Sequence, residues 1–250
     1  MQGIDVVRSG DWVAVVSERP FQCLSSGALG GGRTAARTLL NLHVHKGYSG
    51  MNPAADLASA AAAGGLPTPV VGLMTAVQMG EVMVFTDGPL LLVATVGLGN
   101  PEAAGATPPF ATRPGTINLM LVADGDLSDH ALVGVVITLT EAKVRALARL
   151  GVQCPVTGEA ATGTTSDAVT VACTGNRPDF PFAGPGTSLG ALAAQLTYRA
   201  VITGGERNLR SVKMPVASQR KQTARGSWSG HRETYVRGEW IPRPATPGYR

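Results

Sequence analysis

Short apolar runs separated by turn-forming residues cover most of the chain. The runs include DWVAVVSERP, TLLNLHVH, PVVGLMTAV, EVMVFTDG, LLLVATVGLG, TINLMLVAD and DAVTVACTG, which are rich in β-forming residues and mostly bounded by Gly, Pro, Asn or Asp. Runs of this length with such boundaries are typical of strands. The stretch CLSSGALGGGR, between the first two runs, predicts a glycine-rich loop.

Three stretches carry the signals of helices instead. NPAADLASAAAAGG begins with Asn52 as a cap and Pro53 at the first helical position, and it ends in glycine. A second helix is predicted to begin at Ser128 or Asp129, to repeat apolar residues at helical spacing and to end at Gly151. TSLGALAAQLTYRAVITGG predicts the last helix.

The order of these elements predicts the fold class. The order is strands, one helix, a block of strands, a long helix, a strand and a final helix. This order lacks the regular alternation of a doubly wound fold. We therefore predict a single α+β domain over residues 1–205, with a central, mostly β-sheet covered by about three helices. Periodicity disappears beyond Gly205, so residues 206–250 are predicted to be a flexible, basic, Pro-containing C-terminal tail.

The charge is distributed unevenly. The net charge is +4, but residues 206–250 hold ten Lys or Arg against three Glu, so the body is mildly acidic. A basic tail could clamp phosphate groups or nucleic acid. Aromatic residues make up only 5% of the chain and it carries no RNA-binding motif, which argues against a nucleic-acid partner.

Other features of the whole sequence indicate the cellular compartment of the protein. No apolar run reaches the roughly 18 residues of a membrane span, and the N-terminus lacks the pattern of a signal peptide. Cys23, Cys154 and Cys173 have no metal-type spacing and are predicted to be small, buried, reduced thiols. These features predict a cytoplasmic protein without a membrane partner.

The densest candidate chemistry lies in ATGTTSDAVTVAC. If the chain is extended there, Thr165 and Asp167 share a face, and a hydroxyl beside a carboxylate can position water or, with a base, become a nucleophile. A turn held by hydroxyl-to-backbone bonds fits the same residues. Glu141, in the middle of the long helix, either pairs with Arg145 one turn on or faces a pocket as a general base.

Other polar positions leave alternatives open. In PGTINLML, Thr116 and Asn118 lie on one side of a strand, where they bond to neighbouring backbone or line a pocket. In VGLGNPEAAG, Asn100 belongs to a strand-ending turn or to a ligand-binding loop. His43 and His45 could begin a metal site with Asp56, but two ordinary histidines fit better, and no metal site is predicted.

The motifs SSGALGGG, GLMTAV, GLGNPEAAG, GTINLMLVADGDLSDHALVGVVITLTEAKVRALARLGV, ATGTTSDAVTVAC and AGPGTSLGALAAQLTYRAV, taken in this order, resemble the adenosylcobinamide amidohydrolase family. The resemblance spans roughly Ser25 to Val201. It implies a hydrolase that cleaves the aminopropanol amide of adenosylcobinamide, or a related corrinoid, to give adenosylcobyric acid for cobalamin salvage. A non-catalytic corrinoid-binding module and a self-processing threonine-nucleophile hydrolase are the alternatives.

The resemblance also implies a set of site residues. Glu141 or Asp167 would activate water, while Thr164 or Thr165 would position it or attack. The residues expected to bind substrate are Ser26, Gly31, Asn41, Thr75, Asn100, Thr116 and Asn118. The partner implied is a corrinoid substrate that brings its own cobalt, so no cofactor is expected, and a homo-oligomer is compatible with the sequence.

Overall fold

The computed structural model describes residues 1–106, 116–213 and 232–243. The helices are Pro53–Ala63 (α1), Asp129–Arg149 (α2) and Ser188–Lys213 (α3), and a short 3-10 turn covers Met79–Glu81. The strands are Ile4–Arg8 (β1), Trp12–Ser25 (β2), Gly32–His43 (β3), Val70–Thr75 (β4), Met83–Asp87 (β5), Leu90–Val96 (β6), Pro101–Glu102 (β7), Ile117–Ala123 (β8), Asp126–Leu127 (β9), Gly163–Thr164 (β10), Ala168–Cys173 (β11), Asp179–Phe180 (β12), Glu233–Val236 (β13) and Glu239–Pro242 (β14).

Ten strands form one curled sheet. Its main path is β14-β13-β1-β2-β11-β8-β6-β5, and β3 pairs with both β2 and β4 off this path. The first half of β2 pairs with β1 and the second half with β11. The register of β2 against β3 shifts between Val16 and Phe21, and Pro20, which cannot donate to a ladder, lies within this irregularity. The predicted glycine-rich loop therefore starts later, because β2 continues to Ser25.

Helices cover both sides of the curled sheet. Side chains of α2 and α3 pack with Leu119 and Leu121 of β8, and α1 packs with β3 on the far side. Met120 and Val122, which alternate with those leucines, contact the β2–β3–β4 part of the sheet in a second core. The predicted α+β domain with a central sheet and three helices is confirmed.

The helix boundaries follow the capping residues. The side chain of Asn52 accepts from the Ala55 amide ahead of α1, and Ser128 accepts from the Ala131 amide ahead of α2. Gly151 follows α2 with a positive φ of 66°. The last helix is longer than predicted, because Gly204 does not end it. The glycine instead allows the helix to pack closely on β6, where a Cβ at position 204 would lie 2.8 Å from the Cβ of Val96.

Part of the predicted tail is built into the sheet. Strands β13 and β14 form a hairpin that pairs with β1, a strand that the sequence pattern did not predict. The Arg8 guanidinium forms an ion pair with Glu233 at 2.7 Å and lies 4.1 Å from the centre of the Trp240 ring. The remaining tail residues, 214–231 and 244–250, lie outside the described residues.

The three cysteines are free and buried, as the sequence predicted. Burial, with a smaller effect of the neighbouring Cys173 thiol, raises the pKa of Cys23 to about 12. Burial also raises the pKa of Cys173. Both thiols therefore stay protonated at neutral pH and are poor nucleophiles. Among the described helices, none combines the length and the apolar character of a membrane span.

Two helical glycines, Gly134 in α2 and Gly190 in α3, face the loop at residues 183–184 and give a matched test of how the helices pack against that loop. A Cβ at Gly190 would lie 2.6 Å from the Ala183 carbonyl oxygen and closer still to that of Gly184, whereas at Gly134 the nearest atom would be at an ordinary 3.6 Å. We expect Gly190→Ala to destabilise the fold by about 1–3 kcal/mol, because backbone must move. Gly134→Ala should stabilise it by up to about 1 kcal/mol through helix propensity. Urea unfolding measures both, and equal effects would contradict the packing described.

Candidate active site

The strand pairing brings four chain segments to one edge of the sheet. Strands β8 and β11 are parallel and adjacent, so Thr116 and Asp167, which precede them, lie at the same end. Strands β2 and β6 are antiparallel to these neighbours and end there, so Ser26 and the stretch 97–100 reach the same place. We call this end of the sheet the site edge.

Asp167 is the most heavily bonded side chain at the site edge. Its Oδ2 accepts from Lys143 Nζ at 2.6 Å and from the Thr164 amide at 3.1 Å. Its Oδ1 accepts from the Ile117 amide at 2.9 Å and from the Thr164 hydroxyl. The side chains of Lys143 and Asp167 are only 10% and 11% exposed. A carboxylate offers about four acceptor sites, so this one is fully used.

Lys143, Thr164 and Asp167 together form what we call the Asp167 cluster. Gly163 makes room for it, because a Cβ there would lie 2.5 Å from Asp167 Oδ2 and 2.9 Å from Lys143 Nζ. The ion pair thus occupies the space that a side chain at position 163 would need. This explains the glycine in the stretch ATGTTSDAVTVAC.

A buried network of amides and hydroxyls lies beside the cluster, between the two parts of the curled sheet. Asn118 Nδ2 donates to Asn41 Oδ1 at 2.9 Å and to the Met74 carbonyl at 2.7 Å. Asn41 Nδ2 donates to Thr95 Oγ1 at 3.0 Å, and Thr95 Oγ1 is 3.4 Å from Thr75 Oγ1. These four side chains are fully buried, so the hydrogen bonds offset the desolvation of their polar atoms. We call this set the amide network.

Thr116 connects the amide network to the Asp167 cluster. Its hydroxyl donates to the Ser166 carbonyl at 2.7 Å and lies 3.0 Å from Asn118 Oδ1. Next to this contact, the side-chain Nδ2 of Asn100 donates to the Thr165 hydroxyl. The two residues are brought together because β7 pairs with β10.

Most of the residues predicted to form the site meet at the site edge. These are Asn41, Thr75, Asn100, Thr116, Asn118, Thr164, Thr165 and Asp167. Ser26 is exposed there, and its hydroxyl accepts from the Val169 amide at 3.0 Å. Gly31 lies in the β2–β3 turn, where a Cβ would meet the Gly27 carbonyl oxygen at 2.5 Å.

The structure decides between the alternatives that the sequence left open at two positions. The chain turns at Thr165 instead of running extended, and Thr164 contacts Asp167 through both its amide and its hydroxyl. Glu141 is exposed and lines a groove of about 480 Å³ between α2 and α3. It lies outside the Asp167 cluster, because residues two apart on a helix do not share a face. Arg145 lies over the Tyr198 ring at 4.5 Å instead of forming the ion pair considered for Glu141.

Lys143 and Thr95 are the residues that the sequence reasoning missed. Lys143 carried a signal, because it occupies a buried position on the apolar face of α2, four residues after Leu139 and three before Ala146. A lysine at such a position requires a buried partner. Thr95 lies inside the uniformly buried strand β6, and its sequence context carries no comparable signal.

The histidines have ordinary roles in the part of the chain that the structure describes. His43 Nδ1 lies 3.0 Å from the Val77 carbonyl, and His45 Nδ1 accepts from the Gly47 amide. Asp56 accepts from the Tyr48 hydroxyl at 2.5 Å. The described residues contain no group of three or more His, Cys, Asp or Glu that could hold a metal ion.

Comparison with known proteins decides the family. The sequence model of the family described as adenosylcobinamide amidohydrolase matches residues 1–212. The chain belongs to the adenosylcobinamide amidohydrolase family. The resemblance predicted from the ordered motifs is thus confirmed, and so is the enzyme class, a hydrolase of an amide bond.

The relatives support this assignment. A Methanosarcina mazei protein named adenosylcobinamide amidohydrolase is 31% identical over 74% of this chain and 90% of its own length. A Halobacterium salinarum protein of the same name is 36% identical over 52% of this chain and 55% of its own. The match to a crystal structure of the PH0078 protein from Pyrococcus horikoshii covers 82% of this chain and 84% of that one, at 12% identity and a TM-score of 0.41.

Removing one partner of the buried ion pair tests its role in the fold. Lys143→Met leaves the Asp167 carboxylate buried without its cation, and we expect a loss of about 3 kcal/mol in the free energy of unfolding. The double variant Lys143→Met, Asp167→Asn should recover part of that loss, because both charges are gone. Chemical denaturation measures the cycle. Arg177→Met, in an exposed pair with Asp179, is the control and should cost less than about 1 kcal/mol; an equal loss there would contradict the burial argument.

Proposed function

We propose that the protein hydrolyses the amide that joins aminopropanol to the propionate side chain of adenosylcobinamide. The products are adenosylcobyric acid and aminopropanol, and the acid re-enters cobalamin synthesis. The observation that carries this proposal is the buried Lys143–Asp167 pair with Thr164 at the site edge, in a chain that belongs to this family. Cobalt arrives in this reaction as part of the substrate.

The Asp167 cluster suits the polar part of amide hydrolysis. The reaction needs donors for the oxyanion that develops on the carbonyl, and a positioned nucleophile. Lys143 has three N–H donors and gives one to Asp167, so another can bind the oxyanion. The Thr164 hydroxyl donates to Asp167, and its lone pairs can accept a hydrogen bond from the attacking water.

Asp167 acts as a positioning residue in this mechanism. All of its acceptor sites receive donors from within the fold, so it has none left for a proton from water. It instead fixes the Lys143 ammonium and the Thr164 hydroxyl in one geometry. Such preorganisation is what lowers the barrier when charge develops in the transition state.

The outer part of the site edge suits a substrate that is ringed by amides. Ser26 is exposed, and Gly31 is exposed in the neighbouring turn. Asn100 lies with Thr165 on the β7–β10 side of the Asp167 cluster. We assign the two exposed residues, Ser26 and Gly31, to direct corrinoid contact, because a glycine backbone and a small polar side chain allow the close approach of a large amide-bearing ring. Asn100 is buried and contributes by bonding to Thr165 beside the cluster.

Direct assay tests the proposed activity. Purified protein incubated with adenosylcobinamide should release aminopropanol and adenosylcobyric acid, resolved by chromatography and mass spectrometry. Thr164→Ala should lower kcat by about 100-fold, because the water loses its positioning partner, and Thr164→Ser should restore much of it. Thr140→Ala, an exposed threonine on α2, is the matched control.

One outcome would overturn the proposed activity, and another would overturn only the mechanism assigned to it. Recovery of tightly bound but intact adenosylcobinamide would instead identify a corrinoid-binding module. Turnover that survives in Thr164→Ala at the level of Thr140→Ala would leave the hydrolase in place but remove the Asp167 cluster from its mechanism.

A further inference from the structure

Glu102 holds a carboxylate oxygen that is buried without a partner. Its Oε1 is shielded from solvent and receives no hydrogen bond from any residue that the structure describes. Withdrawing such an oxygen from water without a donor is costly, and proteins keep few of these groups. The unpaired oxygen of Glu102 therefore calls for a functional explanation.

The backbone around Glu102 is firmly held. The Thr162 amide donates to the Glu102 carbonyl at 2.7 Å, and the Thr162 hydroxyl accepts from the Ala104 amide at 3.0 Å. The Thr162 hydroxyl also lies 3.4 Å from the Glu102 carbonyl oxygen. The side chain thus projects from a fixed strand, which is the placement that a reacting group needs.

The strand register directs Glu102 towards the Asp167 cluster. Glu102 pairs directly with Gly163 in the antiparallel β7–β10 ladder. Directly opposite residues point to the same side, with Cβ atoms about 5 Å apart. A Cβ at Gly163 would point at Asp167 Oδ2 and Lys143 Nζ, at 2.5 and 2.9 Å. The side of the ladder that carries Glu102 is therefore the side occupied by the buried ion pair.

The two carboxylates at the site edge thus differ in their capacity to accept a further hydrogen bond or a proton. Asp167 is saturated by four donors from the fold. Glu102 has a free acceptor on the same side of the β7–β10 ladder. We propose that Glu102 is the general base of the hydrolysis, an inference that rests on the proposed function.

The proton transfers balance with this assignment. Glu102 takes a proton from water as the water oxygen bonds to the amide carbon, and the carbonyl electron pair moves to the oxygen that Lys143 binds. The protonated Glu102 then gives its proton to the leaving nitrogen, the C–N bond breaks and the carbonyl re-forms. The products are a carboxylic acid and an amine, and Glu102 ends the cycle ionised.

The test separates a catalytic role from a structural one. Glu102→Gln should lower kcat by at least about 100-fold, while adenosylcobinamide binding changes by less than about threefold. Its unfolding midpoint should stay the same or rise, because the buried Oε1, which has no donor, no longer belongs to a charged group. In Glu102→Ala, added formate should restore part of the turnover by supplying the missing carboxylate. Glu159→Gln, an exposed glutamate in the neighbouring turn, is the control.

The outcomes distinguish this inference from the proposed function. Wild-type turnover together with an active Glu102→Gln variant would overturn the role of Glu102 and leave the hydrolase standing. A lowered unfolding midpoint with no rescue by formate would show that Glu102 is structural, which also overturns it. Absence of turnover in the wild-type protein would remove the proposed function and the general base with it.

Discussion

The buried Lys143–Asp167 ion pair is the interaction on which the site depends. Burying two charges is favourable only when their remaining donors and acceptors are also used, and Asp167 meets that condition with bonds from Thr164 and the Ile117 amide. One carboxylate thereby fixes helix α2, the turn before β11 and the start of β8 to one another. In the mechanism that we propose, the same saturation that stabilises Asp167 removes it as a proton acceptor, and Glu102 takes that task. In hydrolases, two nearby carboxylates often take different acid–base roles because their surroundings differ.

Local signals were sufficient to predict most of the elements, while features set by distant packing were not predictable. Asn52 and Ser128 cap their helices as expected, because capping depends on a few adjacent residues. Gly204 looks like a helix end in the sequence, but it lies inside α3 where the helix approaches β6. The hairpin β13–β14 is likewise set by its pairing with β1, more than two hundred residues earlier in the chain.

The candidate site shows the same division. Ordered motifs and strand alternation indicated Asn118 and Asp167, because polar residues at the ends of buried strands are visible in a sequence. The helical phase, read more closely, separates Lys143 on the buried side of α2 from Glu141 on the exposed side. The order of hydroxyl residues fitted both a strand and a turn, and it could not decide between them, because Asp167 holds the turn through its hydrogen bonds with Thr164.

The amide network gives the site its register. Along β8, Ile117 and Leu119 face α2 and α3, whereas Asn118 faces Asn41 in the other part of the sheet. A slip of one residue would turn Asn118 towards the helices and place apolar side chains against the buried amide of Asn41. Both changes leave polar groups without partners, so the network strongly disfavours them. Because the Ile117 amide is a donor to Asp167, the register that the amides select is also the register that completes the ion-pair cluster. The polar residues inside the sheet therefore determine the geometry of the chemistry at its edge.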